Sequence, residues 1–111
     1  MKPTDRVRLH HIVDALTAMI RFTEGRRRED LDKDEMLTFA LVYAVQIVGE
    51  AANRVSVEFR DQYPEVPWAI IIGMRHRLVH AYSDINHDIL WATSRRLRLN
   101  CWRKSNHFST R

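Results

Sequence analysis

At 111 residues the chain has room for one core, which excludes a two-domain enzyme. A composition of 45% hydrophobic and 29% charged residues, with only three Gly and three Pro, excludes a disordered or fibrous chain and favours helices over turn-rich β architecture. Residues 95–111 hold six Lys/Arg and no acid, whereas residues 1–94 hold 12 Lys/Arg against 14 Asp/Glu, so the net charge of +4 describes the tail and not the body. Any nucleic-acid function must therefore come from a local site. The single cysteine, Cys101, cannot form an intrachain disulfide and fits a reducing, cytoplasmic setting. Met1 to His10 has no apolar signal core, and strictly apolar runs such as Phe39 to Val45 are too short to span a bilayer, so no membrane association is expected.

From Asp5 to Phe22 the apolar residues Leu9, Ile12, Val13, Leu16 and Ile20 recur at three- and four-residue steps, which predicts an amphipathic helix ended by Gly25. A second helix begins near Asp32 or Asp34, either of which can cap it, and continues to about Phe59. Its centre is apolar almost all round and needs cover on more than one side. Pro64 and Pro67 mark a connection, and a third helix runs from Trp68 to about Ala81. Asn86 caps a fourth. Four helices with short links predict an all-α antiparallel bundle over residues 1–94. After Thr93 the periodicity fails, and residues 95–111 read as a frayed basic tail or an altered C-terminus, such as a reading-frame slip would produce.

One residue conflicts with its surroundings. With Ile71 at zero on a helical wheel, Arg75 falls about 40° away, inside the apolar stripe of Ile71, Met74 and Leu78. A guanidinium there needs a charged partner or a wet cleft. Glu50, set among apolar residues of the second helix, is the candidate partner, and a buried Arg75–Glu50 pair with a purely structural role meets the same need. His76 and His80 share a helix face at a spacing that metal ligands also use, but no third ligand accompanies them, so no metal and no cofactor are expected. His10, His11, His87 and His107 read as surface or capping residues. Tyr43, Tyr63, Trp68, Trp91 and Phe39 read as core or interface aromatics.

The segments Gly49-Glu50-Ala51-Ala52, Tyr63-Pro64-Glu65-Val66-Pro67-Trp68 and Gly73 to Tyr82, together with the start Arg8 to Leu16, resemble the HepT-like HEPN toxins of HEPN/MNT toxin–antitoxin pairs. The similarity covers about residues 5–92. It implies a homodimeric helical bundle whose Arg-x-x-x-x-His motifs face a shared cleft, and metal-independent endoribonuclease activity. Carried onto this chain, it makes Arg75 and His80 the catalytic pair, places His76 at the intervening polar position, and makes Tyr82 the motif tyrosine. It also implies a minimal nucleotidyltransferase antitoxin that silences the enzyme by transferring AMP to Tyr82. The chain departs from the pattern where His76 replaces the usual Asn, and where the expected acidic, Leu-Pro-containing end of the fourth helix is missing.

Elementary chemistry fits those assignments. RNA carries its own nucleophile, the 2′-hydroxyl, so cleavage needs proton transfer and a cation at the crowded phosphate. An imidazole titrating near neutrality suits His80 as base or acid, and a guanidinium suits Arg75 as phosphate clamp. Five residues of regular helix set Arg75 and His80 about 140° apart, so either the helix loosens near His80 or two protomers complete each site. Tyr82 returns to within about 20° of Arg75. The alternative function is a non-catalytic helical subunit that binds the nucleotidyltransferase and presents Tyr82 for modification.

Overall fold

The computed structural model describes residues 2–78 and 85–101, with side chains for residues 2–73 and 85–99. Among the described residues every regular element is helical: α1 (Pro3–Thr23), α2 (Asp30–Lys33), α3 (Glu35–Arg54), α4 (Val57–Gln62), α5 (Trp68–Leu78) and α6 (His87–Arg96), which runs into a π-helical segment, Leu97–Cys101.

Proline opens α1, where its missing N–H costs nothing, and the buried residues Leu9, Ile12, Ala15, Leu16 and Met19 follow the helical period. Gly25 lies beyond the end of α1 at φ 71°, a conformation that a Cβ would disfavour. Asp34 caps α3 by accepting from the Leu37 N–H at 3.1 Å. Helix α3 is the core helix. By length and hydropathy alone it would suffice to cross a membrane, but 56% of its apolar window is buried against the other helices. Helices α1, α5 and α6 all pack on it. Leu41, Val45, Val48 and Ala52 supply the centre of the shared core.

The start of α1 is tied to the end of α3, which makes the two antiparallel. Asp5 is 2% exposed and accepts both the Ser56 N–H at 2.8 Å and the Ser56 hydroxyl at 2.7 Å. This pairing corrects the expectation of one helix continuing to Phe59. The chain instead turns extended at Val55 and Ser56, and Ser56 caps α4 by accepting from the Phe59 N–H at 3.2 Å. A distant carboxylate satisfies the N–H released by the break, so the break carries no unpaired donor. Phe59 then stacks against Tyr63 at 4.9 Å and meets Trp68 edge-on at 6.4 Å. The Trp68 indole N–H donates to the Tyr63 carbonyl at 3.0 Å, fixing where α5 begins.

Asn86 caps α6 as expected, accepting from the Ile89 N–H at 3.0 Å. Beyond it, the first seven residues of the segment assigned to the tail are helical, and Leu97 enters the core at 1% exposure. The Arg98 guanidinium lies 5.3 Å from the Trp91 ring and donates to the Thr23 hydroxyl at 2.8 Å. Those contacts dock the end of α6 against the end of α1. The sequence around Leu97 lacks a period because one apolar residue and one cation make the attachment, not a repeating face.

Candidate functional site

Helix α5 brings Arg75 and His76 into the bundle at the level of their backbone, packed alongside α3. Their side chains lie outside the described residues, as do His80 and Tyr82 altogether. Glu50, the proposed partner of Arg75, is described, and the structure corrects its expected burial. Its side chain is exposed, while its neighbours Gly49, Ala51 and Ala52 are the residues of that turn that face the core. The Glu50 carboxylate is therefore not enclosed within this protomer. The small residues let helices approach closely behind Glu50, which leaves the carboxylate facing outward.

Outward from Glu50 lies a groove between α1 and α3 of about 500 Å³. Alanines at 15, 18, 40, 44 and 51 form its floor, with Phe22, Tyr43 and Ile47 as its apolar walls. Arg8, His11, Asp14, Glu50 and Arg54 supply its charged and polar groups. On each helix the lining positions recur at three- and four-residue steps, so the groove is the seam between two helix faces. Tyr43 and Phe39, expected as core or interface aromatics, are 67% and 49% exposed, and Met36 on the same side of α3 is 80% exposed. The other three aromatics, Tyr63, Trp68 and Trp91, pack against the core.

The sequence pattern did not single out Arg8, His11, Asp14 or Arg54. Their signal was there in the spacing of Arg8, His11, Ala15, Ala18 and Phe22, but small residues in a helix are as common in a packed seam as in an open one. Among the described residues, no group of three or more His, Cys, Asp or Glu side chains converges as metal ligands.

Residues 12–102 match the family of HepT-like ribonucleases, a span that runs from the middle of α1 through α5 and α6. The chain belongs to the HepT-like ribonuclease family. It is 40% identical to an RNase of Caldanaerobacter subterraneus subsp. tengcongensis over 81% of this chain and 80% of that protein. It is 33% identical to a ribonuclease HepT of Thermococcus cleftensis over 84% of each chain. It is 31% identical to an RNase of Methanocaldococcus jannaschii over 75% of this chain and 76% of the other. All three names give the ribonuclease assignment as provisional. No solved structure matches the chain at comparable significance. The HepT-like match contains the whole segment from Arg75 to Tyr82, and it also contains residues 95–101, the helical part of the presumed tail.

Proposed function

We propose that this HepT-like chain is the ribonuclease toxin of a toxin–antitoxin pair, a cytoplasmic homodimer that cuts RNA without a metal ion. The observation that carries this is the family match over residues 12–102, which includes Arg75, His76, His80 and Tyr82 in the order and spacing of the motif. In the proposed reaction the ribose 2′-oxygen attacks the adjacent phosphorus and the bond to the 5′-oxygen breaks. His80 moves the proton, and Arg75 neutralises charge on the phosphate oxygens.

The second protomer is assigned to the α1–α3 groove. Exposed apolar side chains on α3 favour burial, with about 25 cal/mol gained per Å² of apolar area covered. The groove also carries both signs of charge, Arg8 and Arg54 with Asp14 and Glu50, which a two-fold contact can set against each other. Regulation follows from Tyr82. Its hydroxyl oxygen attacks the α-phosphorus of ATP held by a minimal nucleotidyltransferase, pyrophosphate leaves, and the phenolic proton passes to a base. The AMP phosphate then competes with RNA for Arg75.

Co-expression with a minimal nucleotidyltransferase, followed by peptide mass spectrometry, tests the regulatory half. AMP on the Tyr82 peptide is expected, and Tyr82→Phe is expected to keep ribonuclease activity and escape silencing. Silencing of Tyr82→Phe by the active partner, with no AMP on any tyrosine, would show inhibition by binding alone.

A further inference from the structure

Positive charge collects on the described residues where the ends of α1 and α6 meet. Residues 89–101 hold Arg95, Arg96 and Arg98 and no acid. Among the described residues no ion pair reaches these three; the ion pairs run from Lys2, Arg26, Arg28 and His87. The C-termini of the two helices each carry about −0.5 of an elementary charge, and Arg21 and Glu24 at the end of α1 offset each other. Roughly two positive charges are left unmatched.

Arg98 is the fixed member of the group. Its Nη1 donates to the Thr23 hydroxyl at 2.8 Å, its Nε to the Ser94 carbonyl at 3.2 Å and its Nη2 to the Ser94 hydroxyl at 3.4 Å, and the Trp91 ring lies beside it. A guanidinium has five N–H donors, so two remain after these three bonds. All three acceptors are neutral. Burial and then Arg95 hold the guanidinium below its usual pKa, and an anion beside it would offset both effects. Docking alone does not call for a full charge here, because Leu97 already seats the segment in the core at 1% exposure. A held guanidinium with donors to spare and a second arginine close by suits a phosphate group, whose oxygens accept several N–H bonds at once.

We infer that Arg98, held by Thr23 and Ser94 and flanked by Arg95, forms a phosphate-binding site at the joined ends of α1 and α6, occupied by a phosphodiester of RNA. The RNA identity rests on the ribonuclease function proposed above; the phosphate site stands on the described side chains. Such a contact adds affinity without reading sequence.

The test compares parent, Arg98→Gln, Arg95→Gln and Arg6→Gln as full-length proteins. One probe is a short single-stranded 2′-O-methyl RNA, which lacks the attacking hydroxyl, followed by fluorescence anisotropy over a range of salt. The other is inorganic phosphate, followed by NMR of the arginine Nε–H groups. Arg98→Gln is expected to weaken RNA binding about tenfold and to reduce the slope of log affinity against log salt by about 0.7. Arg95 is exposed and makes no docking contact, and Arg95→Gln is expected to weaken binding about threefold with unfolding unchanged. Arg6→Gln removes the same charge from the other end of α1 and is expected to stay within about twofold of the parent. Phosphate is expected to shift the Arg98 Nε–H signal in the parent, and chloride at equal ionic strength to leave it in place. Parent affinity and salt slope in both Arg98→Gln and Arg95→Gln would overturn the site, as would an equal loss in Arg6→Gln, which would show diffuse attraction. Phosphate bound at Arg98 by a parent that does not bind the RNA would overturn the RNA occupant. A parent that binds RNA through Arg98 but cuts none supports the site and defeats the ribonuclease function.

Discussion

Replacing Asp5 by alanine should do more damage than any surface charge substitution in this protein. The carboxylate is 2% exposed, and it accepts two hydrogen bonds, from the Ser56 N–H at 2.8 Å and from the Ser56 hydroxyl at 2.7 Å. A hydrogen bond to a charged group contributes about 1.5–3 kcal/mol net, and a half-buried N–H left without its partner adds to the loss, so Asp5→Ala is expected to cost about 3–4 kcal/mol. Ser56→Ala loses one of those bonds and the α4 cap, about 1–2 kcal/mol. Because the two residues share the contact, the double variant should cost less than the sum, by roughly 1–2 kcal/mol. Urea denaturation followed by circular dichroism measures all three. The comparison is Lys2–Glu58, an ion pair at 3.4 Å whose side chains are 59% and 71% exposed, and Glu58→Gln there is expected to move the midpoint far less than Asp5→Ala. A loss below about 0.5 kcal/mol for Asp5→Ala, or strict additivity in the cycle, would refute Asp5 as the tie that ends α3 and orients α4. In the proposed reaction that tie would bear on activity, because α4 leads through the Phe59, Tyr63 and Trp68 contacts to the start of α5, the helix that carries Arg75.

Leu97→Ala should destabilise the fold by about 2–4 kcal/mol, as a large-to-small change in a core does, while Leu99→Ala at 60% exposure should be close to neutral; thermal unfolding of both decides whether the end of α6 is part of the domain. Three carboxyls are held below their ordinary range: Asp32 by His87 and then Arg28, Asp34 by the Leu37 N–H and then Arg26, and Glu58 by its own backbone N–H and then Lys2. Their folded values lie below the unfolded ones, so their stabilisation is present above the usual carboxylate range and is lost as pH falls through the depressed values. The melting temperature should therefore drop on going from about pH 5 to about pH 3, and Asp32→Asn with Asp34→Asn should flatten that profile. Tyr43→Glu puts a charge in the middle of the α1–α3 groove and should convert the proposed dimer to monomer in light scattering without lowering helix content. An unchanged mass would move the dimer contact elsewhere.

The elements that were legible in the sequence are those whose reasons are local. Helix α1 announces itself through Leu9, Ile12 and Leu16, and α6 through the Asn86 cap. The break after Arg54 was not legible, because the group that receives its freed N–H is Asp5, 51 residues before Ser56. Nor was the attachment of residues 95–101, which depends on Leu97 in the core and on Arg98 reaching Thr23 across 75 residues. Glu50 looked buried because its neighbours are apolar, yet those neighbours are small and face inward while the carboxylate faces out. His87 read as a surface residue, since its partner Asp32 is 55 positions away. The motif itself, Arg75 to Tyr82, was legible by resemblance, and the family match spans it.

The most direct measurement is cleavage of a defined RNA by the purified protein in excess chelator, with the end groups of the products determined and a single 2′-deoxy substitution placed at the cut site. Attack by the 2′-hydroxyl predicts a 2′,3′-cyclic phosphate and a free 5′-hydroxyl, no cleavage at the deoxy position, and loss of cleavage in Arg75→Ala and in His80→Ala. Cleavage that requires an added metal ion, survives the deoxy substitution, or proceeds at the parent rate in both variants would contradict the account.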